Sequence, residues 1–101
     1  MSMNASAPLF LVHDEGDHVG VAVKDVEPGP ARVRYMDSQR TVELEVLEPV
    51  PLGHKVALRA LAAGDDVIEY GVRIGRTSGP IRAGQWVHVH NIRSARWGPG
   101  R

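Results

Sequence analysis

Val50-Pro51-Leu52-Gly53-His54-Lys55-Val56 is the stretch whose reading decides the fold. An aliphatic residue stands three before a glycine and another three after it. The same frame recurs as Leu61-x-x-Gly64-x-x-Val67 and Ile81-x-x-Gly84-x-x-Val87. Val26-x-x-Gly29 is a looser fourth copy, in which Val33 arrives one residue late. Each copy has one physical reading: the glycine takes a turn with positive φ, the flanking aliphatics pack inward, and a strand begins directly afterwards. Gly71, Gly75 and Gly79 add further bends. Short, sharply folded strands in a compact barrel or clip are therefore expected, and no extended flat sheet.

The rest of the chain agrees with that frame. Leu9-Phe10-Leu11-Val12 is a short run of strand formers ended by His13-Asp14-Glu15-Gly16-Asp17, a turn by composition. Val19, Val21 and Val23 then fall on one face of a second strand, with Gly20 and Ala22 leaving room for a close neighbour on the other, so a hairpin is expected. Pro28 and Pro30 forbid a helix. Val33 and Tyr35, and after a loop over 36–40 Val42, Leu44 and Val46, alternate with polar residues as in a half-exposed antiparallel pair. Arg59-Ala60-Leu61-Ala62-Ala63 is too short to be more than a turn. The fold class is all-β, with a flexible lead over 1–8, one domain over 9–92 and a basic tail over 93–101.

Composition narrows the function. A chain of 101 residues, 43% hydrophobic and 24% charged, buries a small core and is too small to be a self-sufficient enzyme. Twelve basic residues balance twelve acidic ones, so there is no global field to attract nucleic acid or an anionic membrane. Zero cysteines exclude disulfides, thiolate metal sites and Cys nucleophiles. With no export signal in Met1-Ser2-Met3-Asn4-Ala5-Ser6-Ala7-Pro8, the cytoplasm is the expected location.

Gln85-Trp86-Val87-His88-Val89-His90-Asn91 alternates, which as a strand puts His88 and His90 on one face, roughly 7 Å apart. That spacing suits joint ligation of a metal or joint contact with a polar ligand; a half-buried edge strand is the plainer alternative. His54 directly follows another turn glycine, so the three imidazoles converge if the repeats fold against one another. His13 closes the first strand and is a candidate to join them. His18, among Asp14, Glu15 and Asp17, is expected to be solvated. Lys55 points away from His54 in an extended segment. Tyr70 is a candidate proton donor or carboxylate contact and Arg76 a clamp for an anionic substrate, against the ordinary reading of a rim tyrosine and a solvated arginine. No phosphate loop, Ser-centred elbow or CxxC pair is present. Arg93-Ser94-Ala95-Arg96-Trp97 reads as a docking segment for another subunit.

Three blocks together resemble a known family: Pro51-Leu52-Gly53-His54-Lys55-Val56-Ala57-Leu58, then Ile68-Glu69-Tyr70-Gly71 with Ile74-Gly75-Arg76, then Gly84-Gln85-Trp86-Val87-His88-Val89-His90-Asn91. They resemble the small SAF-type domain of the altronate and galactarate dehydratases. The opening Phe10-Leu11-Val12-His13 with Glu15-Gly16-Asp17, and the closing Asn91-Ile92 with Arg96-Trp97, are similar to the free-standing small subunits of (R)-sulfolactate sulfo-lyases. The resemblance implies a β-clip fold and a part in a lyase that eliminates water or sulfite from a 2-hydroxy or sugar acid. It implies a divalent metal, Fe²⁺ with Mg²⁺ or Mn²⁺ as alternatives, bound mainly by a large partner subunit in a hetero-oligomer. Site residues carried over are His54, His88 and His90 for catalysis and Arg76 and Asn91 as substrate contacts; from the residue reading above, Tyr70 joins the substrate contacts and His88 and His90 are the candidate metal ligands. SAF-type domains also serve as non-catalytic modules for carbohydrate or anionic ligands, which is the alternative function.

Overall fold

The computed structural model describes residues 7–87 and the strand at 92–94. Every regular element among them is a strand: β1 (Phe10–Val12), β2 (Val19–Ala22), β3 (Gly29–Tyr35), β4 (Thr41–Val46), β5 (Lys55–Ala57), β6 (Asp66–Glu69), β7 (Val72–Thr77), β8 (Trp86–Val87) and β9 (Ile92–Ser94). The all-β expectation holds, and the candidate helical segment at 59–63 forms none, Leu61 making a single bridge to Ile81.

Six strands form one sheet in the order β4-β3-β1-β2-β5-β8, and β6-β7-β9 form a second. The expected hairpin is β1–β2, and the expected antiparallel pair is β3–β4 across the 36–40 loop. What the alternation did not reveal is that β3 returns parallel to β1, setting Phe10 beside Val33 and Val12 beside Tyr35. A three-residue strand thereby becomes central and holds two fully buried side chains, Phe10 and Val12.

The repeat frame fixes the core. All six anchors of the three full copies, Val50, Val56, Leu61, Val67, Ile81 and Val87, are buried. Gly53, Gly64 and Gly84 all have φ between 83° and 89°. Copies also pair with one another: Val26 bridges Val50, and Leu61 bridges Ile81. Fully burying each such aliphatic contributes about 1.5–3 kcal/mol, so the anchors are principal stabilising contacts of this small domain.

The anchors divide between two clusters, Val50 and Val56 joining Phe10, Val33 and Val46, and the other four joining Val19 and Ala57. Strand β2 lies between them, which corrects the expectation of one apolar face. Val19 packs into the second cluster and Ala22 into the first, while Val23 is exposed past the strand end. Gly20 allows this close approach, since a Cβ there would lie 3.1 Å from the Val12 side chain.

The large sheet curls until its edges meet at one end. Leu47 N–H donates to the Gly84 carbonyl at 2.9 Å, and Trp86 N–H donates to the Glu48 carboxylate at 2.9 Å. The backbones are so close that a Cβ on Gly84 would fall on the Glu45 carbonyl.

Candidate functional site

Strands β5 and β8, each launched by a turn glycine, are hydrogen-bonded neighbours: Val56 stands opposite Trp86 and Lys55 opposite Val87. The repeats therefore do fold against one another. His54, just before β5, is exposed, and its imidazole meets the Trp86 indole edge-on with ring centroids 5.4 Å apart. Its backbone is fixed on both sides, the N–H donating to the Pro51 carbonyl and the carbonyl accepting from Ala22 N–H. His88, His90 and Asn91 lie outside the described residues, as does the end of the tail from residue 95.

Lys55 projects from the other face of β5, as its position next to His54 requires, and its ammonium comes within 3.8 Å of the Glu69 carboxylate. Glu69 is buried, and burial raises its pKa above the ordinary carboxylate range; Lys55 opposes that shift and Asp17 adds to it. A carboxyl under such opposing influences is suited to holding or passing a proton.

Asp17 sits beside it, 4% exposed. Its carboxylate accepts from Tyr70 N–H at 2.9 Å, from Gly71 N–H at 3.0 Å and from Asp14 N–H at 3.2 Å. One buried anion thus ties the 13–17 turn to the tip of the β6–β7 hairpin. Both tip residues have positive φ, 57° at Tyr70 and 72° at Gly71. Tyr70 is thereby placed edge-on to His13, ring centroids 4.8 Å apart, and His13 Nδ1 lies 3.2 Å from the Asp14 carboxylate. The turn is further clamped to the 36–40 loop by Glu15, which accepts from Arg40 at 2.8 and 3.0 Å and from the Ser38 hydroxyl at 2.6 Å. These bonds hold the Glu15 pKa down to about 2.

One sequence reading is corrected here. His18 is not simply solvated: it is half-buried, and its Nδ1 lies 3.2 Å from Ile68 N–H and 3.1 Å from the Asp66 carbonyl, docking β2 on β6. Arg76 Nε lies 3.6 Å from the Asp66 carboxylate, both side chains more than half exposed. It also stands at the far end of the hairpin from Tyr70, opposite Asp66 in the register, roughly 13 Å along β6.

Asp17 and Glu69 were missed by reading for histidines. A signal for Glu69 was available: it falls two residues after Val67, on the buried phase of β6. Asp17 carried only the appearance of a turn residue. Among the described residues no three His, Cys, Asp or Glu side chains gather into a metal donor set. No helix among them is long and apolar enough to cross a membrane.

Comparison with known proteins agrees with this architecture. Residues 8–95 match the family described as the altronate/galactarate dehydratase SAF domain. The chain is 48% identical over 90 residues to the (2R)-sulfolactate sulfo-lyase subunit alpha of Chromohalobacter salexigens, covering 87% of this chain and 96% of that one. It is 32% identical over 85 residues to the altronate dehydratase of Bacillus subtilis, covering 84% of this chain but 16% of that one. With the galactarate dehydratase (L-threo-forming) of Escherichia coli the identity is 38% over 82 residues, 81% of this chain and 14% of the other. With its turn-glycine frame and paired β5 and β8, the chain belongs to the altronate/galactarate dehydratase SAF-domain family.

Proposed function

We propose that the chain is the small subunit of a two-chain lyase that eliminates water or sulfite from a 2-hydroxy or sugar acid, and that it is inactive without a larger partner. The observation that carries this reading is one of length: the same domain makes up 96% of a sulfo-lyase subunit alpha and 16% of an altronate dehydratase. In the longer relative most of the chain lies elsewhere, so the smaller unit is read as one wall of a shared site.

The chemistry fits that division. Elimination beside a carboxylate needs a base for the C2 proton, positive groups for the developing enolate and, for hydroxide, an acid for the leaving group. His54, held against Trp86, is assigned to the reacting face together with His88 and His90. Tyr70 and Asn91 are assigned to substrate contact. Arg76 is assigned a weaker part, since Asp66 already partners it. The divalent ion, Fe²⁺ with Mg²⁺ or Mn²⁺ as alternatives, enters the proposal as a group held chiefly by the larger chain. The complex is placed in the cytoplasm.

The test is co-expression with a large lyase chain from the same organism, followed by assay of the purified pair. The panel is (2R)-sulfolactate, altronate and galactarate, with and without Fe²⁺, Mg²⁺ or Mn²⁺. Formation of the 2-oxo acid by the pair and by neither chain alone is expected. An inactive pair, with the small chain binding sugar acids by itself, would instead assign it as a non-catalytic binding module.

A further inference from the structure

The hairpin tip carries an unusual residue in a costly conformation. Two-residue hairpin turns with positive φ at both positions are built from Asn-Gly or Asp-Gly, because a bulky side chain in the left-handed region costs about 1–2 kcal/mol. Here the first position is Tyr70, at φ 57°, with a 57% exposed side chain that no packing requires. The buried Asp17 carboxylate offsets the strain by accepting both tip amides. What the arrangement achieves is the placing of a phenol against the His13 imidazole, whose Nδ1 faces Asp14 at 3.2 Å. A carboxylate at Nδ1 selects the Nδ1–H tautomer and leaves Nε2 as the basic nitrogen. An imidazole and a phenol whose ring centroids are 4.8 Å apart can serve the two adjacent carbons of an elimination.

From this geometry we infer that His13 and Tyr70 are the proton-transfer pair of the elimination, with Asp14 and Asp17 as their positioning residues. The inference rests on the lyase reading above and adds residues to it. His13 Nε2 takes the proton from C2; the C–H electron pair becomes the C2=C3 bond; the C3 substituent departs with its bonding pair. Hydroxide collects the phenolic proton of Tyr70 and leaves as water, whereas sulfite leaves as an anion and needs no proton. After loss of water the imidazolium returns its proton to the phenolate, and after loss of sulfite it releases that proton to solvent; in both cases the enol takes a solvent proton at C3 as its hydroxyl loses one, giving the 2-oxo acid. Among the described residues, charged groups near the pair include Asp14, Asp17 and Glu15 with its partner Arg40, and beyond Asp17 the Glu69–Lys55 ion pair.

The experiment uses the reconstituted pair of chains, with His13→Gln and Tyr70→Phe variants assayed for 2-oxo acid release and for exchange of the C2 hydrogen in D2O. His13→Gln is expected to lower kcat about 100-fold or more and to abolish C2 exchange, with KM within about threefold. Tyr70→Phe keeps the ring and its contact with His13. It is expected to slow loss of water about 100-fold while leaving C2 exchange and sulfite loss within about threefold. Long-range ¹H–¹⁵N spectra of the full-length small chain are expected to show His13 as the Nδ1–H tautomer, and Asp14→Asn to lose that preference. An active pair in which both variants keep kcat, or lose only KM, overturns this inference alone. An Nε2–H tautomer at His13 overturns it as well. A wild-type pair inactive on every acid overturns the lyase reading and this step with it.

Discussion

Lys55 and Glu69 face each other 3.8 Å apart across the gap between the two sheets, the lysine one-third exposed and the glutamate one-tenth. The pair joins β5, which follows the His54 turn, to β6, which leads into the turn at Tyr70. Lys55→Met leaves a buried carboxylate without its cation and is expected to cost about 1–2 kcal/mol, at the lower end because the lysine is partly solvated. Lys55→Met combined with Glu69→Leu is expected to recover to within about 1 kcal/mol of wild type. Urea midpoints of the three variants measure the coupling, and simple additivity would remove it.

Asp17 holds the backbone amides of Tyr70 and Gly71 at the hairpin tip. Asp17→Ala should cost about 2–3 kcal/mol, since hydrogen bonds to a charged acceptor are at stake. Asp17→Asn, retaining one acceptor oxygen, should cost about half of that. Amide hydrogen exchange checks the location of the damage: Tyr70 and Gly71 should lose protection before the β1–β2 hairpin does.

Gly64 and Gly84 share a positive φ but differ in surroundings. A Cβ at Gly64 meets open space, so Gly64→Ala costs only the left-handed backbone, about 1–2 kcal/mol. At Gly84 the same atom meets the Glu45 carbonyl, and Gly84→Ala is expected to cost more than about 3 kcal/mol. Equal melting temperatures for the two variants would contradict the tight closure of the sheet.

Two carboxylates give the domain opposing pH dependences. Glu15 is lowered from the ordinary 4.5 to about 2, chiefly by its hydrogen bond from Arg40, so its contribution is present above the unfolded pKa and lost as pH falls toward 2. Glu69 is raised, chiefly by burial, so its contribution is present below 4.5 and lost as pH rises through the folded pKa. Arg40→Ala should flatten the acid limb of a plot of urea midpoint against pH, and high salt should shrink that limb because the pair is exposed. Glu69→Gln should remove the decline above pH 4.5 and leave the acid limb unchanged.

His54→Ala, His88→Ala and His90→Ala are each expected to lower kcat of the reconstituted pair about 100-fold or more, with far-UV circular dichroism and urea midpoint unaltered. Full activity in both His88→Ala and His90→Ala would take that pair out of the site.

The fold was legible because Gly53, Gly64 and Gly84 do the same local work in each copy, and backbone constraints of that kind are written in single residues. The parallel pairing of β1 with β3 was not, since Phe10 and Val33 carry no local mark of which strand they will face. Histidines were legible as candidates by residue type alone, and His54 was placed beside the strand expected for it. His13 with Tyr70, and Lys55 with Glu69, come together through tertiary contacts between separate turns and strands, which spacing in the chain does not encode. The partner of Arg76 across the hairpin, Asp66, is likewise a pairing that spacing in the chain does not announce.

The seam at Gly84 also has a temporal side. Synthesis runs from the N-terminus, so β1 through β7 are made before the segment carrying Gly84, Trp86 and Val87 has emerged. Until then the Leu47 amide and the Glu48 carboxylate lack the partners that draw the sheet edges together, and the second cluster lacks Val87. A nascent chain thus remains an open sheet with an apolar edge, and closure of the domain and presentation of the β8 strand become a single late event. Pulse-labelling of ribosome-bound chains of increasing length should find protection of the Ala57 amide, which donates to the Gln85 carbonyl, arriving in one step when residues 84–87 leave the ribosome.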